Sequence, residues 1–214
     1  VLDLKLTSGC SVLLEEFQEG NETMSEKIKI GVIYGSTRPG RFCGTVARWV
    51  IDEILRRENF EVAVIDPAAK SNGAEAETLS EADPQSLRER IAEADAFVVV
   101  TPEYNHGYPA ALKSLIDSFG QEWHAKPVGF VSYGGISGGL RAVEQLRQVF
   151  AELHAMTIRD SVSFAAAWEL FDSEGVLKDP ERPVRQLETM LKRLKWWAET
   201  LRNGREAAPY SAAA

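Results

Sequence analysis

Four short stretches constrain this chain more than anything else in it. "IKIGVIY" (28–34), "FEVAVID" (60–66), "DAFVVVT" (95–101) and "KPVGFVS" (126–132) are apolar on both faces and rich in β-branched or aromatic residues. Strands covered by helices on each side of a parallel sheet read this way. A fifth, weaker stretch is "MTIRDSVSF" (156–164). Helical patterns separate them. In "GTVARWVIDEILRRE" (44–58), Val46, Val50 and Ile54 share one stripe beside Trp49. "DPQSLRERIAEA" (83–94) opens with Asp83 as N-cap and Pro84 as first helical residue. "PAALKSLIDSFG" runs from Pro109 to Gly120. "GLRAVEQLRQVFAELH" (139–154) carries Leu140, Val143, Leu146, Val149, Phe150 and Leu153 at helical spacing. The last helix, within 180–204, is expected to stop at an Asn203-Gly204 C-cap.

Alternating strands and helices predict an α/β domain: a doubly wound, five-stranded parallel sheet, order 2-1-3-4-5, with helices on both faces. The 214 residues suit one domain of ordinary size. Residues 25–204 are assigned to it. Residues 1–24 read as an N-terminal extension packed or draped on the domain, without the basic and long apolar regions of a signal peptide. Residues 205–214 read as a frayed C-terminal tail. A net charge of −8 argues against a nucleic-acid footprint, and no apolar run approaches the roughly 20 residues that cross a membrane. The only cysteines, Cys10 and Cys43, form no CxxC or metal-ligand spacing, which fits a reducing, cytoplasmic setting without structural zinc.

Such a sheet binds ligands beyond the carboxyl ends of its strands, where strand order reverses. That selects the loops after strands one, three and four. The first is "GSTRPGR" (35–41). Gly35 permits a tight turn, Ser36 and Thr37 bring hydroxyls, Arg38 and Arg41 bring charge, and the following helix aims free N–H groups at the same place. This suits a phosphate dianion; an ordinary strand-to-helix turn is the plainer alternative. The Walker lysine and the Gly-x-Gly-x-x-Gly fingerprint are both missing.

The second loop opens "TPEYNHGYPAALKSLIDS" (101–118). Tyr104 is placed to cover a flat heterocycle and the backbone of Glu103 and Asn105 to bond its edge, while Tyr108 is expected to pack beneath the loop. The third, "SYGGISGGL" (132–140), has four glycines, which let main chain approach a planar ligand. Within it, residues 135–139 match the Gly-x-Ser-x-Gly elbow of α/β-hydrolases. That elbow needs its serine at the strand end and an acid, then a histidine, downstream. Ser137 lies about five residues beyond the predicted strand, and His154, on the adjacent helix, is the only later histidine. The hydrolase reading fails on those counts.

Taken together, "GSTRPGR", "TPEYNHGYPAALKSLIDS" and "KPVGFVSYGGISGGLRAVEQLR" resemble the NADPH-dependent FMN reductase family of flavodoxin-like flavoproteins, over residues 27–169. Its relatives include quinone, azo-dye and chromate reductases. The resemblance implies that Ser36, Arg38 and the backbone of Arg41, Phe42 and Cys43 hold the FMN phosphate. It implies that Pro102, Glu103, Tyr104 and Asn105 line the isoalloxazine ring, with Tyr133, Gly134 and Gly135 closing its other side. Glu122-Trp123 shares the resemblance without a role that can be derived from it. The implied activity is hydride transfer from NADPH or NADH to bound FMN, then to a small-molecule acceptor (free flavin, quinone, azo compound or metal ion), by a ping-pong mechanism. No catalytic side chain is needed, because the cofactor carries the chemistry. A flavodoxin-type electron carrier that ignores NAD(P)H is the alternative, although its Thr/Ser-rich phosphate loop differs from "GSTRPGR". The family pairs through helices beside the flavin, which implies a homodimer or homotetramer through the helices starting at Pro109 and Gly139.

Overall fold

Five parallel strands, β1 (Ile28–Tyr34), β2 (Phe60–Ile65), β3 (Ala96–Pro102), β4 (Pro127–Gly134) and β5 (Met156–Ala165), form one sheet in the order β2-β1-β3-β4-β5. The expected doubly wound order is the observed one. The structure is a computed structural model and describes residues 27–68 and 84–213. The extension 1–24, Cys10, the Asp83 cap and most of the 67–84 loop lie outside the described residues.

The helices are α1 (Cys43–Leu55), α2 (Pro84–Glu93), α3 (Ala110–Asp117), α4 (Leu140–Glu152), the single turn α5 (Ala167–Leu170) and α6 (Glu181–Ala207). Successive strand residues point to opposite faces, so the sheet feeds two cores. Ile30, Val32, Val98 and Val100 pack under α1 and α6; Ile33, Phe97, Val99 and Phe130 pack under α2, α3 and α4. Trp123 anchors the second core. Its ring lies 4.8 Å from that of Phe97 and 5.7 Å from that of Phe150, and its indole N–H donates to the carbonyls of Ile116 and Phe119, each at 3.1 Å. Burying an aromatic side chain so fully contributes about 2–3 kcal/mol. Beside it, the Glu122 carboxylate accepts the Gly120 N–H (2.9 Å) and pairs with Arg88 of α2. Glu122-Trp123 therefore ties the end of α3 to α2, a packing role the sequence did not disclose.

At the amino ends of the strands, polar groups are closed on one another. Asp95 accepts the Lys29 N–H (3.0 Å) and faces Arg202 (3.4 Å) and Arg205 (3.8 Å) of α6. Lys126 donates to the carbonyls of Ile91 (2.7 Å) and Ala92 (2.6 Å) at the end of α2. Arg205 also donates to the carbonyl of Ala125 (2.5 Å). These contacts explain a departure from expectation: α6 continues through Asn203-Gly204 to Ala207. A helical glycine costs about 1 kcal/mol, and the anchored arginines on either side of it offset that.

β5 lies at the sheet edge and is irregular. Its pairing steps from Val128↔Thr157 to Phe130↔Ser161, so two residues of β4 oppose four of β5. Arg147 of α4 holds the displaced segment by donating to the carbonyls of Ile158 (2.7 Å) and Arg159 (3.1 Å), and Arg193 of α6 grips Asp160 (2.5 Å).

Candidate functional site

The order reversal lies between β1 and β3, and the loops after β1, β3 and β4 meet beyond their carboxyl ends. The first begins where Gly35 donates its N–H to the carbonyl of Val100 (2.8 Å). A Cβ at Gly35 would sit 2.7 Å from that oxygen, so only glycine fits. Ser36 follows, buried, sharing a hydrogen bond with the Tyr104 hydroxyl (2.8 Å) and accepting the Arg38 N–H (3.3 Å). The loop turns back through Arg41 N–H to Arg38 O (3.0 Å) and enters α1 at Phe42.

No side chain caps α1. The N–H groups of Phe42, Cys43 and Gly44 have no partner among the described residues, and neither has the Thr37 hydroxyl. Arg38 stands exposed with no counter-charge among the described residues, its guanidinium 5.9 Å from the Tyr104 ring centroid. A helix start with free donors and a nearby cation is an anion site.

Arg41 differs from Arg38. Its guanidinium donates to Asp66 (2.8 Å) and to the Ser36 carbonyl (2.5 Å), and lies 5.2 Å from the Tyr34 ring centroid. The hydrogen bond to Asp66 holds its pKa above the ordinary value. Its side chain therefore braces the loop, and the charge expected from it faces Asp66. The Cys43 thiol is buried beside the Val100 carbonyl (3.5 Å), and burial pushes it up to about 11. A thiol so protonated is inert. What Phe42 and Cys43 offer an anion is backbone N–H, whereas the Arg41 N–H is taken by the Arg38 carbonyl.

After β3, Tyr104 and Gly107 exchange backbone hydrogen bonds (2.9 and 3.0 Å) across Asn105 and His106, at φ +50° and +69°. Two consecutive positive φ values make a type I′ turn, which few residues other than glycine, asparagine, aspartate and histidine tolerate. Gln145 of α4 donates to the His106 carbonyl (3.0 Å). The polar "YNHG" run thus has a backbone reason. Glu103 reaches toward the third loop, accepting from the Ser137 hydroxyl (2.6 Å), the Arg141 N–H (3.1 Å) and the Arg141 guanidinium (2.7 Å). Burial alone would raise this carboxyl; those hydrogen bonds and the Arg141 charge hold it below the usual value.

In the third loop the Gly138 carbonyl accepts from Ser132 (2.8 Å) and Ser163 (3.0 Å), and Gly139 leads into α4 at φ +86°. A Cβ on Gly139 would meet the Tyr133 backbone at 2.9 Å. The same addition at Gly135 meets nothing within 4 Å. β4 runs to Gly134, two residues beyond the predicted strand, and this relocates Tyr133. Its ring points into the core, edge-on to Phe42 at 6.0 Å and 6 % exposed; burial pushes its phenol well above the usual value. Pro102 is buried beside it. With both side chains buried, what Pro102 and Tyr133 offer at the crevice is main chain. Ser137 serves Glu103, and His154 lies at the far end of the 13-residue α4, bonded to Tyr210 (2.9 Å). The hydrolase elbow has no triad.

Sequence reasoning found the three loops but missed what joins them. Ser36–Tyr104 ties the first to the second; Glu103 with Ser137 and Arg141 ties the second to the third. Arg141 and Ser137 lie inside the quoted motifs, and a signal was present in the placing of one acid opposite one base at the two loop ends.

A doubly wound sheet with an uncapped helix start and glycine-rich loops at its switch point defines a flavodoxin-like α/β protein. The chain belongs to the NADPH-dependent FMN reductase family, whose model matches residues 28–169. It is 34% identical over 198 residues to an NAD(P)H-dependent FMN reductase of Saccharomyces cerevisiae, covering 82% of this chain and 100% of that one. A second such reductase, of Schizosaccharomyces pombe, is 38% identical over 143 residues, 59% of this chain and 70% of that one. A quinone reductase of Escherichia coli K12 is 35% identical over 142 residues, 63% of this chain and 76% of the relative. Among solved structures, the fold matches the flavoenzyme NAD(P)H:(acceptor) oxidoreductase of Paracoccus denitrificans with a TM-score of 0.60 at 22% identity, over 81% of this chain and 98% of that one. The protein is accordingly an oxidoreductase of the NAD(P)H-dependent FMN and quinone reductase type.

Proposed function

We propose that this protein holds FMN at the carboxyl end of its sheet and uses it to pass hydride from NADPH or NADH to a small-molecule acceptor: free flavin, a quinone, an azo compound or a metal ion. The carrying observation is the uncapped start of α1, where three N–H groups, the Thr37 hydroxyl and Arg38 have no partner or counter-anion among the described residues. These donors hold the phosphate. Ser36, Arg41 and Asp66 fix the loop that presents them. The Tyr104 turn and the open backbone at Gly135 bound the ring, with Glu103 and Arg141 keeping the two loops in register. FMN, when bound, supplies the hydride chemistry in a ping-pong sequence. The chain positions the ring and leaves one face accessible; no side chain is assigned a proton-transfer role.

The same reading makes the protein a cytoplasmic homodimer or homotetramer. Among the described residues no helix is long and apolar enough to cross a membrane. Val143, Leu146 and Phe150 are spent on the sheet, whereas Leu140 and the neighbouring Ile136 (94 % exposed) are left outward beside the crevice for a second copy. Light scattering behind size exclusion should show a multiple of the 23.7 kDa chain mass; a single peak at the chain mass overturns the assembly.

For the activity, FMN is added to the purified chain under anaerobic conditions. Flavin fluorescence should quench, NADPH or NADH should bleach the bound flavin, and a quinone should restore its colour. Failure to bind FMN overturns the site. Bound FMN that neither nicotinamide bleaches leaves an electron carrier.

A further inference from the structure

Away from the three loops, the displaced segment of β5 opens a groove against the first half of α6. The groove is open to solvent and has a volume of about 480 Å³. One wall is Arg159, Asp160 and Ser161 of β5. The other is the face of α6 bearing Arg182, Arg185, Gln186 and Thr189, which the i, i+3, i+4, i+7 spacing brings together.

Accounting for these polar groups shows what the groove is ready to hold. The Asp160 carboxylate is taken by Arg193 (2.5 Å), the Arg185 guanidinium faces Glu181 (3.5 Å), and the Thr189 hydroxyl donates to the Arg185 carbonyl (3.0 Å). The side chains of Arg159, Arg182, Ser161 and Gln186 have no hydrogen-bond or ion-pair partner among the described residues. Two guanidiniums, a hydroxyl and an amide thus line the groove without a partner among the described residues, beside an Asp160 carboxylate already answered by Arg193. The occupant must be rich in acceptors and negatively charged.

Two further observations narrow it. No aromatic or aliphatic side chain lines the groove, so a nicotinamide, quinone or flavin ring would find no surface to stack on. The chain as a whole carries −8, so its long-range field repels extended polyanions and leaves only local chelation. The cradle is also held in place beforehand, since Arg147 and Arg193 fix both ends of the displaced β5 segment.

We propose that this groove binds a small, multiply phosphorylated and otherwise polar molecule. Inorganic oligophosphate and a sugar bisphosphate share that chemistry. Calorimetric titration of the full, FMN-saturated chain at physiological ionic strength tests it, the flavin keeping the phosphate loop occupied. The probes are inorganic triphosphate and fructose 1,6-bisphosphate. At least one should bind saturably at one site per chain, and the tighter of the two names the source. Arg159→Ala combined with Arg182→Ala should weaken that binding by on the order of 100-fold, the loss expected for two charge-assisted contacts. Circular dichroism should be unchanged, and Arg182→Lys should be intermediate. Lys113→Ala, which removes a surface cation paired with Asp117, should leave the affinity alone. No saturable heat with either probe, equal affinity in the double variant, or displacement by duplex DNA at lower concentration would each overturn the proposal.

Discussion

The two ends of the sheet handle their polar groups in opposite ways. At the amino end, Asp95, Lys126, Arg202 and Arg205 answer one another and the carbonyls of Ile91, Ala92 and Ala125. At the carboxyl end, side-chain bonds fix the loops, yet Arg38, Thr37 and the first N–H groups of α1 find no partner among the described residues. Among the described residues one end is satisfied by the chain and the other is not. The first set should therefore report on stability and the second on ligand affinity.

The widest separation of the two should come from Asp95→Ala. Removing one partner of a largely buried ion cluster costs about 3 kcal/mol, visible as a lower urea midpoint, while the FMN dissociation constant of the folded protein stays unchanged. Reduced FMN affinity with an unchanged midpoint would erase the distinction. Next comes Arg38→Ala at the opposite end. FMN binding should weaken by about 2 kcal/mol, as for a charge-assisted hydrogen bond, with stability held within about 0.5 kcal/mol. Titration of the apoprotein by flavin fluorescence measures the first and thermal unfolding the second. Tyr104→Phe sits between the two classes, because it removes the bond that joins two ligand loops. It should cost about 1 kcal/mol of stability and also speed FMN release in stopped-flow displacement.

The smallest effect is a pH dependence of the closed end. Burial, reinforced by the Arg205 charge, lowers Lys126 to about 8, against the attraction of Asp95 and Glu122. Between that value and the ordinary lysine value the unfolded chain holds more protons than the native one, so stability rises with pH. Burial raises Cys43 to about 11. Above the ordinary cysteine value the native state therefore retains a proton the unfolded state releases, and stability falls. The two oppose each other above pH 9, so the net rise is confined to about pH 8–9 and reaches at most about 1 kcal/mol. Urea midpoints at pH 7, 8 and 9 should show it, and Lys126→Met should flatten it.

This contrast also explains what could be read in advance. "AFVVV" and "IKIGVIY" announce buried strands because each residue carries its own evidence, and strand order follows from packing rules. The three ligand loops were legible from small residues and prolines at strand ends. The burial of the Tyr133 ring is not legible in composition, because it depends on β4 continuing through Tyr133 to Gly134. The positive φ values of Asn105 and His106 give "YNHG" a part in a tight turn, which residue types alone do not separate from ligand contact. The amino-end cluster was not legible at all. Asp95 meets Arg202 across 107 residues of sequence, and no local pattern encodes such a meeting.

The displaced stretch of β5 has one more consequence, in how copies of this protein avoid one another. A sheet in the order β2-β1-β3-β4-β5 ends, among the described residues, in two edge strands, and an open edge can recruit a strand from a neighbouring molecule. On β5 a straight run of exposed backbone is broken where residues 158–160 step out of register. Arg147 occupies carbonyls that an incoming strand would need, and the charges of Arg159, Asp160 and Arg193 stand in its path. Such bulged, charged edges discourage intermolecular β pairing, so this irregularity guards a crowded solution of the folded protein against aggregation.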